Sequence, residues 1–167
     1  MILRRPEIRD KDKIISYAEE FNYDICGGGK FNELKERDFD AVLNKIRDEE
    51  AGIVDEGRVP ATQFLYLDDD ENLIGMIQLR HGLTDYLLNY AGHIGYSISP
   101  KFRKKGHGSN MLKACLCEAR KLGLERVLVT CGDWNKGSRG VIENNGGVYE
   151  DAREDEDGVH LRFWIQL

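Results

Sequence analysis

Positive charge, metal-type cysteine spacing and long apolar runs are all scarce in this chain of 167 residues. Lysine and arginine number 24 against 30 aspartates and glutamates, a formal net charge of −6. A general nucleic-acid binder ordinarily carries a basic face or a high isoelectric point, so no nucleic-acid partner is expected. Four cysteines, Cys26, Cys115, Cys117 and Cys131, lack CxxC spacing. Cys115 and Cys117 fall on one predicted helix at i and i+2, which point to different sides. No metal site is expected; buried apolar thiols in a reducing compartment are. Nowhere do the roughly 18 apolar residues of a membrane span run together. The opening "MILRRPEIRDKDK" has no apolar signal region. No membrane association and a cytoplasmic location are expected. Internal repeats and low-complexity tracts are missing too.

What is present suits one globular domain over residues 1–167, with 41% apolar and 32% charged residues. "MILRRP" reads as a short strand, and Asp10 opens an amphipathic helix with Ile14, Ile15, Ala18 and Phe21 on one side. After "CGGGK", residues Phe31 to Glu50 read as a second helix with Leu34, Phe39, Val42, Leu43 and Ile46 as its stripe. Phe64 to Leu67 and Leu73 to Leu79 form a hairpin, and "GHIGYSISP" is a strand ended by Pro100. Met111, Leu112, Cys115, Leu116, Ala119 and Leu122 recur at helical spacing, stopped by Gly123. "RVLVTC" is apolar on both pleat faces, as in a central strand. A short helix, Lys136 to Asn145, and a closing hairpin with Val159, Leu161, Phe163, Ile165 and Leu167 on one face complete the order. That order is β, α, α, β, β, β, α, β, α, β, β. The last apolar strand leaves a homodimer open, because it could pair across two copies or stay internal.

Against the acidic balance stands one basic island, "KFRKKGHGSN", between a strand end and a helix start. Successive N–H groups from Arg103 to Ser109 can point into such a turn, glycine lets the backbone approach, and the helix dipole adds its positive end. Lys101, Arg103, Lys104 and Lys105 supply outer charge for a phosphorylated ligand. The chain lacks GxxxxGK[ST], which disfavours a kinase-type phosphate loop, and lacks GxGxxG, which disfavours a dinucleotide fold. "RKKGHG" alone is equally consistent with a solvated basic turn.

"YSISPKFRKKGHGSNML", "RVLVTC" and "WNKGSRGVIENNGG" together resemble, in order and spacing, three motifs of the GNAT superfamily of acyl-CoA N-acyltransferases. The resemblance is strongest from Leu73 to Tyr149 and loose before Pro60. It implies an α/β (α+β) fold with a mixed, mostly antiparallel sheet of about six to seven strands and about four flanking helices. It further implies acetyl-CoA as cosubstrate and a small-molecule or peptide amine as acceptor. Ile98 and its neighbours match the splayed strand that pairs with the pantetheine arm. Arg103, Lys104, Lys105, Gly106, His107, Gly108 and Ser109 match the stretch around the pyrophosphate, and Asn135 and Ser138 match polar positions that contact the cofactor's arm or the adjacent helix.

Amine transfer requires loss of a proton from an alkylammonium of pKa about 10, polarisation of the thioester carbonyl and protonation of the leaving thiolate. Holding both substrates in line supplies much of the rate, so a strong side-chain base is not demanded. His93 is the expected base, near a position where relatives often carry Glu; a one-residue slip of strand parity would instead bury it. The Tyr that relatives place on the short helix is replaced by Ile142, which leaves Tyr96 and Tyr149 as substitutes and keeps a silent acyl-CoA sensor as the alternative. "CGGGK", Cys26 to Lys30, is a connector that could line the acceptor pocket. "EDAREDEDG", Glu150 to Gly158, reads as a solvated hairpin tip that could attract a cationic acceptor, and Trp134 could cover the cofactor or pack, with packing favoured.

Overall fold

The computed structural model describes residues 1–21, 25–35 and 38–167. Seven strands form one sheet: β1 (Ile2–Arg4), β2 (Ala61–Leu67), β3 (Leu73–Arg80), β4 (Ile94–Ile98), β5 (Arg126–Gly132), β6 (Val148–Asp155) and β7 (Gly158–Gln166). Their spatial order is β1-β2-β3-β4-β5-β7-β6. All neighbours are antiparallel except β4 and β5. The α-helices are α1 (Lys11–Glu19), α2 (Phe39–Glu50), α3 (His107–Lys121) and α4 (Lys136–Glu143).

Strand alternation divides the apolar residues between two cores. Phe64, Ile77, Ile94, Val129 and Phe163 face α3 and α4, joined by Met111, Leu112, Cys115 and Ile142. Leu65, Leu67 and Met76 face the other way, against Ile14 and Tyr17 of α1 and Val42, Leu43 and Ile46 of α2. Burying one Leu or Ile contributes about 1.5–3 kcal/mol, so each layer is held mainly by these side chains.

The first two helices depart from the sequence expectation in informative ways. Asp10 stands at the helix entry, but its buried carboxylate does not cap α1. It accepts two 2.7 Å bonds from the Arg4 guanidinium and one of 2.8 Å from the Glu7 N–H, tying β1 to the start of α1. On α1 the inward stripe runs through buried Ile14 and Tyr17 and half-buried Ala18, continued past the helix end by half-buried Phe21, while Ile15 is exposed. Spacing of i, i+3, i+4 and i+7 makes one stripe, and Ile15 sits off it. The expected helix from Phe31 to Glu50 is not continuous. Residues Gly29–Lys35 form a 3₁₀ turn, and α2 starts at Phe39 after extended Asp38, whose carbonyl accepts the Val42 N–H at 3.0 Å. Asp is a favoured residue at that boundary. A π-helical turn, Leu87–Ala91, lies between β3 and β4 and had no counterpart in the sequence reading.

Candidate active site

β4 holds two neighbours unequally. Against β3 it pairs from Leu79↔Ile94 to Gly75↔Ile98, whereas against β5 the parallel register is confined to Ile94↔Val129. Beyond Ile94 the two strands separate, leaving a notch. Tyr96 and Ile98 form one wall on the α3/α4 side, and Cys131 stands on the β5 side.

The notch leads to the start of α3. Pro100–Phe102 makes a 3₁₀ turn, Lys104 takes φ +60°, and Gly106 takes φ +81° at the N-cap of α3. The first intrahelical bond there is Asn110 N–H to Gly106 C=O, 3.1 Å. Helix geometry therefore leaves the N–H groups of Gly106, His107, Gly108 and Ser109 without intrahelical acceptors, at the positive end of the helix dipole. A β-carbon on Gly106 would meet nothing within 4 Å, so this approach is open. A β-carbon on Gly108 would lie 2.9 Å from Val141 Cγ2, so its glycine serves the contact between α3 and α4. The Asn145 side chain reinforces that contact by donating to the Ser109 carbonyl at 3.1 Å.

The cations are arranged unevenly. Lys101 pairs with Glu20 at 2.6 Å, and Glu20 also accepts the Ser99 hydroxyl at 2.6 Å. Partial burial pushes the Glu20 carboxyl up, but these two partners outweigh it and hold it below the usual range. Arg103 turns its Nε to the Ile98 carbonyl at 3.0 Å and lies over the Phe21 ring. Lys105 lies over Phe102 and donates to the Lys101 carbonyl at 3.3 Å. His107 packs edge-on against Tyr66 and Phe102, so it offers the loop its main chain more than its ring.

At the far wall, Asn135 caps α4 by accepting the Ser138 N–H at 3.0 Å. Ser138 Oγ lies 2.7 Å from the Tyr96 hydroxyl, so Tyr96, Ser138 and Asn135 form one chain of contacts. Burial pushes the Tyr96 phenol up, keeping it protonated at neutral pH. Cys131 is buried, and its thiol is pushed up to about 11.

Three expected roles need correction. His93 is buried with its ring Nδ1 accepting the Leu128 N–H at 2.9 Å, and its backbone N–H donates to the Leu128 carbonyl at 2.7 Å. Burial, reinforced by the Arg80 charge, lowers its pKa to about 4. Its lone pair is thus spent on β5, and it is badly placed to take a proton from an ammonium. Tyr149 is exposed on β6 and packs edge-on against Phe163, with β7 and β5 between it and the notch. Trp134 is not a packing residue: it is 77% exposed, its indole over Gly132, where a β-carbon would lie 2.6 Å from Nε1. The absence of a side chain at Gly132 is the signal that could have placed it. Ile142, at the position of the relatives' Tyr, is fully buried in the core.

The "CGGGK" loop is not a free connector. Gly27 has φ +74°, and a β-carbon there would lie 2.3 Å from the Gly95 carbonyl oxygen. Its carbonyl accepts the side-chain amide of Gln63 on β2 at 2.8 Å, so the loop is tied to β2 and lies against β4 at Gly95, opposite the α3 side. Across the notch on that face, Thr130 donates to the Tyr90 carbonyl at 2.9 Å.

A sheet split at its centre, with a helix N-terminus at the end of the split, matches the fold of GNAT acetyltransferase structures. The Acetyltransferase (GNAT) domain matches residues 1–148, and the chain belongs to this family of acyltransferase enzymes. GNAT acetyltransferases use acetyl-CoA as cosubstrate. Among solved structures, a chimera of the spermidine N-acetyltransferase SpeG from Vibrio cholerae and hSSAT is similar at 19% identity, covering 99% of this chain and 96% of its own, with TM-score 0.69. The ribosomal-protein-S5-alanine acetyltransferase from Vibrio fischeri is similar at 17% identity, covering 98% and 91%, with TM-score 0.70. No curated protein matches by sequence. Among the described residues, no cluster of His, Cys, Asp and Glu could hold a metal, and no helix is long and apolar enough to cross a membrane.

Proposed function

We propose that this enzyme transfers the acetyl group of acetyl-CoA to a primary amine of a small molecule or peptide, by direct attack in a ternary complex. The observation that carries the reading is the parting of β4 from β5 after Ile94, with the amides of Gly106 to Ser109 at the end of the opening. In this reading the Ile98 edge of β4 pairs with the pantetheine arm, and Asn135 and Ser138 line its other side. The α3 amides grip the pyrophosphate, with Arg103, Lys104 and Lys105 as surrounding charge. Bound acetyl-CoA supplies an activated thioester carbonyl.

Direct attack is favoured over an acyl-enzyme because Cys131, beside the notch, has a thiol pushed up to about 11 and carries little thiolate at neutral pH. Tyr96 is the hydroxyl placed at the notch, and its raised pKa suits a proton donor to the leaving thiolate. The structural relatives described as acetyltransferases of spermidine and of a ribosomal-protein alanine support an amine acceptor.

Titration calorimetry with acetyl-CoA tests the placement. The wild type is expected to bind, and Arg103→Glu to lose more than about 100-fold in affinity, as for loss of a charge-assisted contact with an added repulsion. Unchanged affinity overturns the pyrophosphate site. Release of free thiol from acetyl-CoA against a panel of primary amines, polyamines, amino acids and peptide N-termini tests transfer. Tight binding with no release on that panel would make the chain an acyl-CoA-binding module instead.

A further inference from the structure

With His93 spent on β5, the sheet face opposite α3 carries another imidazole, on β7, one strand beyond β5. On β7, Leu161, Phe163 and Ile165 belong to the α3/α4 core, so His160 faces the other way. Its Cα partner on β5 is Gly132, beyond the point where β5 has left β4. One strand spacing, about 4.8 Å, therefore separates the His160 backbone from the strand that borders the notch. The Trp134 indole lies over Gly132, in the space a side chain there would fill.

The surroundings of His160 resemble those of a working base. Its Nε2 lies 2.8 Å from Asp155 Oδ1 on β6. That carboxylate is held below its usual range first by the His160 hydrogen bond, so it stays ionised and accepts. The proton of a neutral imidazole is then fixed on Nε2, and Nδ1 carries the free lone pair, with no hydrogen bond among the described residues. Tyr90 meets the imidazole edge-on at 5.8 Å, and Tyr86 follows at 5.6 Å from Tyr90, both from the segment that covers β5. The groups facing His160 are thus Asp155 and its register partner Arg153 on β6, and Tyr90 with Tyr86 beside it. Arg153 is turned to Asn89 and Asp151. Unlike His93, the His160 side chain is 20% exposed.

We infer that His160 is the proton acceptor for the incoming amine, that Asp155 is its positioning residue, and that the acceptor enters between Tyr90 and Trp134. This rests on the acetyl-transfer reading. Nδ1 takes one proton from the alkylammonium, giving imidazolium and a free amine. The amine nitrogen forms a bond to the thioester carbonyl carbon, the carbon–sulfur bond breaks, Tyr96 gives its hydroxyl proton to the thiolate and is reprotonated by one of the two protons on the new nitrogen, and the other stays as the amide N–H. Imidazolium then returns its proton to water. Acetylated amine, CoA thiol and one solvent proton are the balance.

The test is the pH profile of kcat/KM for thiol release, with the best primary amine of the panel, for wild type, His160→Ala, His160→Gln and Asp155→Asn. His160→Ala and His160→Gln are each expected to lose about 10²-fold or more below the amine pKa, with the loss shrinking above it, where free amine abounds. KM for acetyl-CoA should stay within about threefold, and added imidazole should restore part of the His160→Ala rate. Asp155→Asn should lower kcat with the same pH signature. Should His160→Ala fail to fold, His160→Gln carries the comparison. Equal loss at every pH without imidazole rescue, or no loss, overturns the assignment while leaving acetyl transfer intact. Failure of acetyl-CoA to bind, or binding without release on the panel, overturns the transfer reading and this inference with it.

Discussion

The hydroxyls of Tyr96 and Ser138 lie 2.7 Å apart and join β4 to α4 at the level where β5 has already left β4. A tyrosine on the strand thereby reaches the short helix where the resemblance leads one to expect a Tyr, and Ile142 there is fully buried in the core. If this hydroxyl protonates the leaving thiolate, Tyr96→Phe should lower kcat by about 10²-fold with acetyl-CoA affinity nearly unchanged. Loss of the bridge should cost about 1 kcal/mol of stability. Steady-state kinetics beside a urea melt separates the two effects.

Gly106 and Gly108 serve different needs, and substitution should separate them. Gly106→Ala forces a side chain into φ +81° in open space, costing about 1–2 kcal/mol and disordering the amides that would grip an anion. Gly108→Ala drives a methyl group toward Val141, costing about 1–3 kcal/mol through the contact of α3 with α4. Calorimetry should show weaker acetyl-CoA binding in both, and urea melts should show the larger stability loss wherever repacking is hardest.

Asp10 is fully buried, with the Arg4 guanidinium its bidentate partner. Asp10→Ala leaves that cation beside apolar surface and removes the acceptor of the Glu7 N–H, so a loss of about 3–5 kcal/mol is expected. Asp10→Asn should recover part of it. Chemical denaturation at neutral pH measures both.

His93 has a folded pKa of about 4 against an ordinary 6.5. Between those values the unfolded chain binds the extra proton, so stability rises with pH through this window and is lost as pH falls from about 6.5 toward 4. The full contribution is about 3 kcal/mol. In His93→Gln the stability lost on acidification from pH 7 to pH 4 should be smaller by up to that amount. A parallel loss in both proteins would show that His93 does not titrate as its burial demands.

Much of this architecture was legible in the chain because local pattern and long-range burial agree. The apolar runs "FLYL" and "LIGMIQL" match strands buried on both faces, the alternation from Val159 to Leu167 matches a strand that turns Leu161, Phe163 and Ile165 to the α3/α4 core, and the Met111-to-Ala119 spacing matches the buried stripe of α3. The helix breaks near Asp38 and the π-helical turn at Leu87–Ala91 were not legible. "DYLLNYA" carries helix and strand propensity alike, and what holds it is Thr130 and Arg162, donors far along the chain.

The site shows the same division more sharply. Gly106, cations next to it and a following amphipathic helix are neighbours in sequence, so a local reading finds the anion loop, because left-handed backbone and helix ends are local properties. Which imidazole is spent and which is available depends on strand register, since a shift of one residue exchanges the two faces of a sheet. His93 lost its lone pair to Leu128, and His160 came to stand opposite Gly132 and beside Asp155, only through pairing of strands brought together from distant parts of the chain.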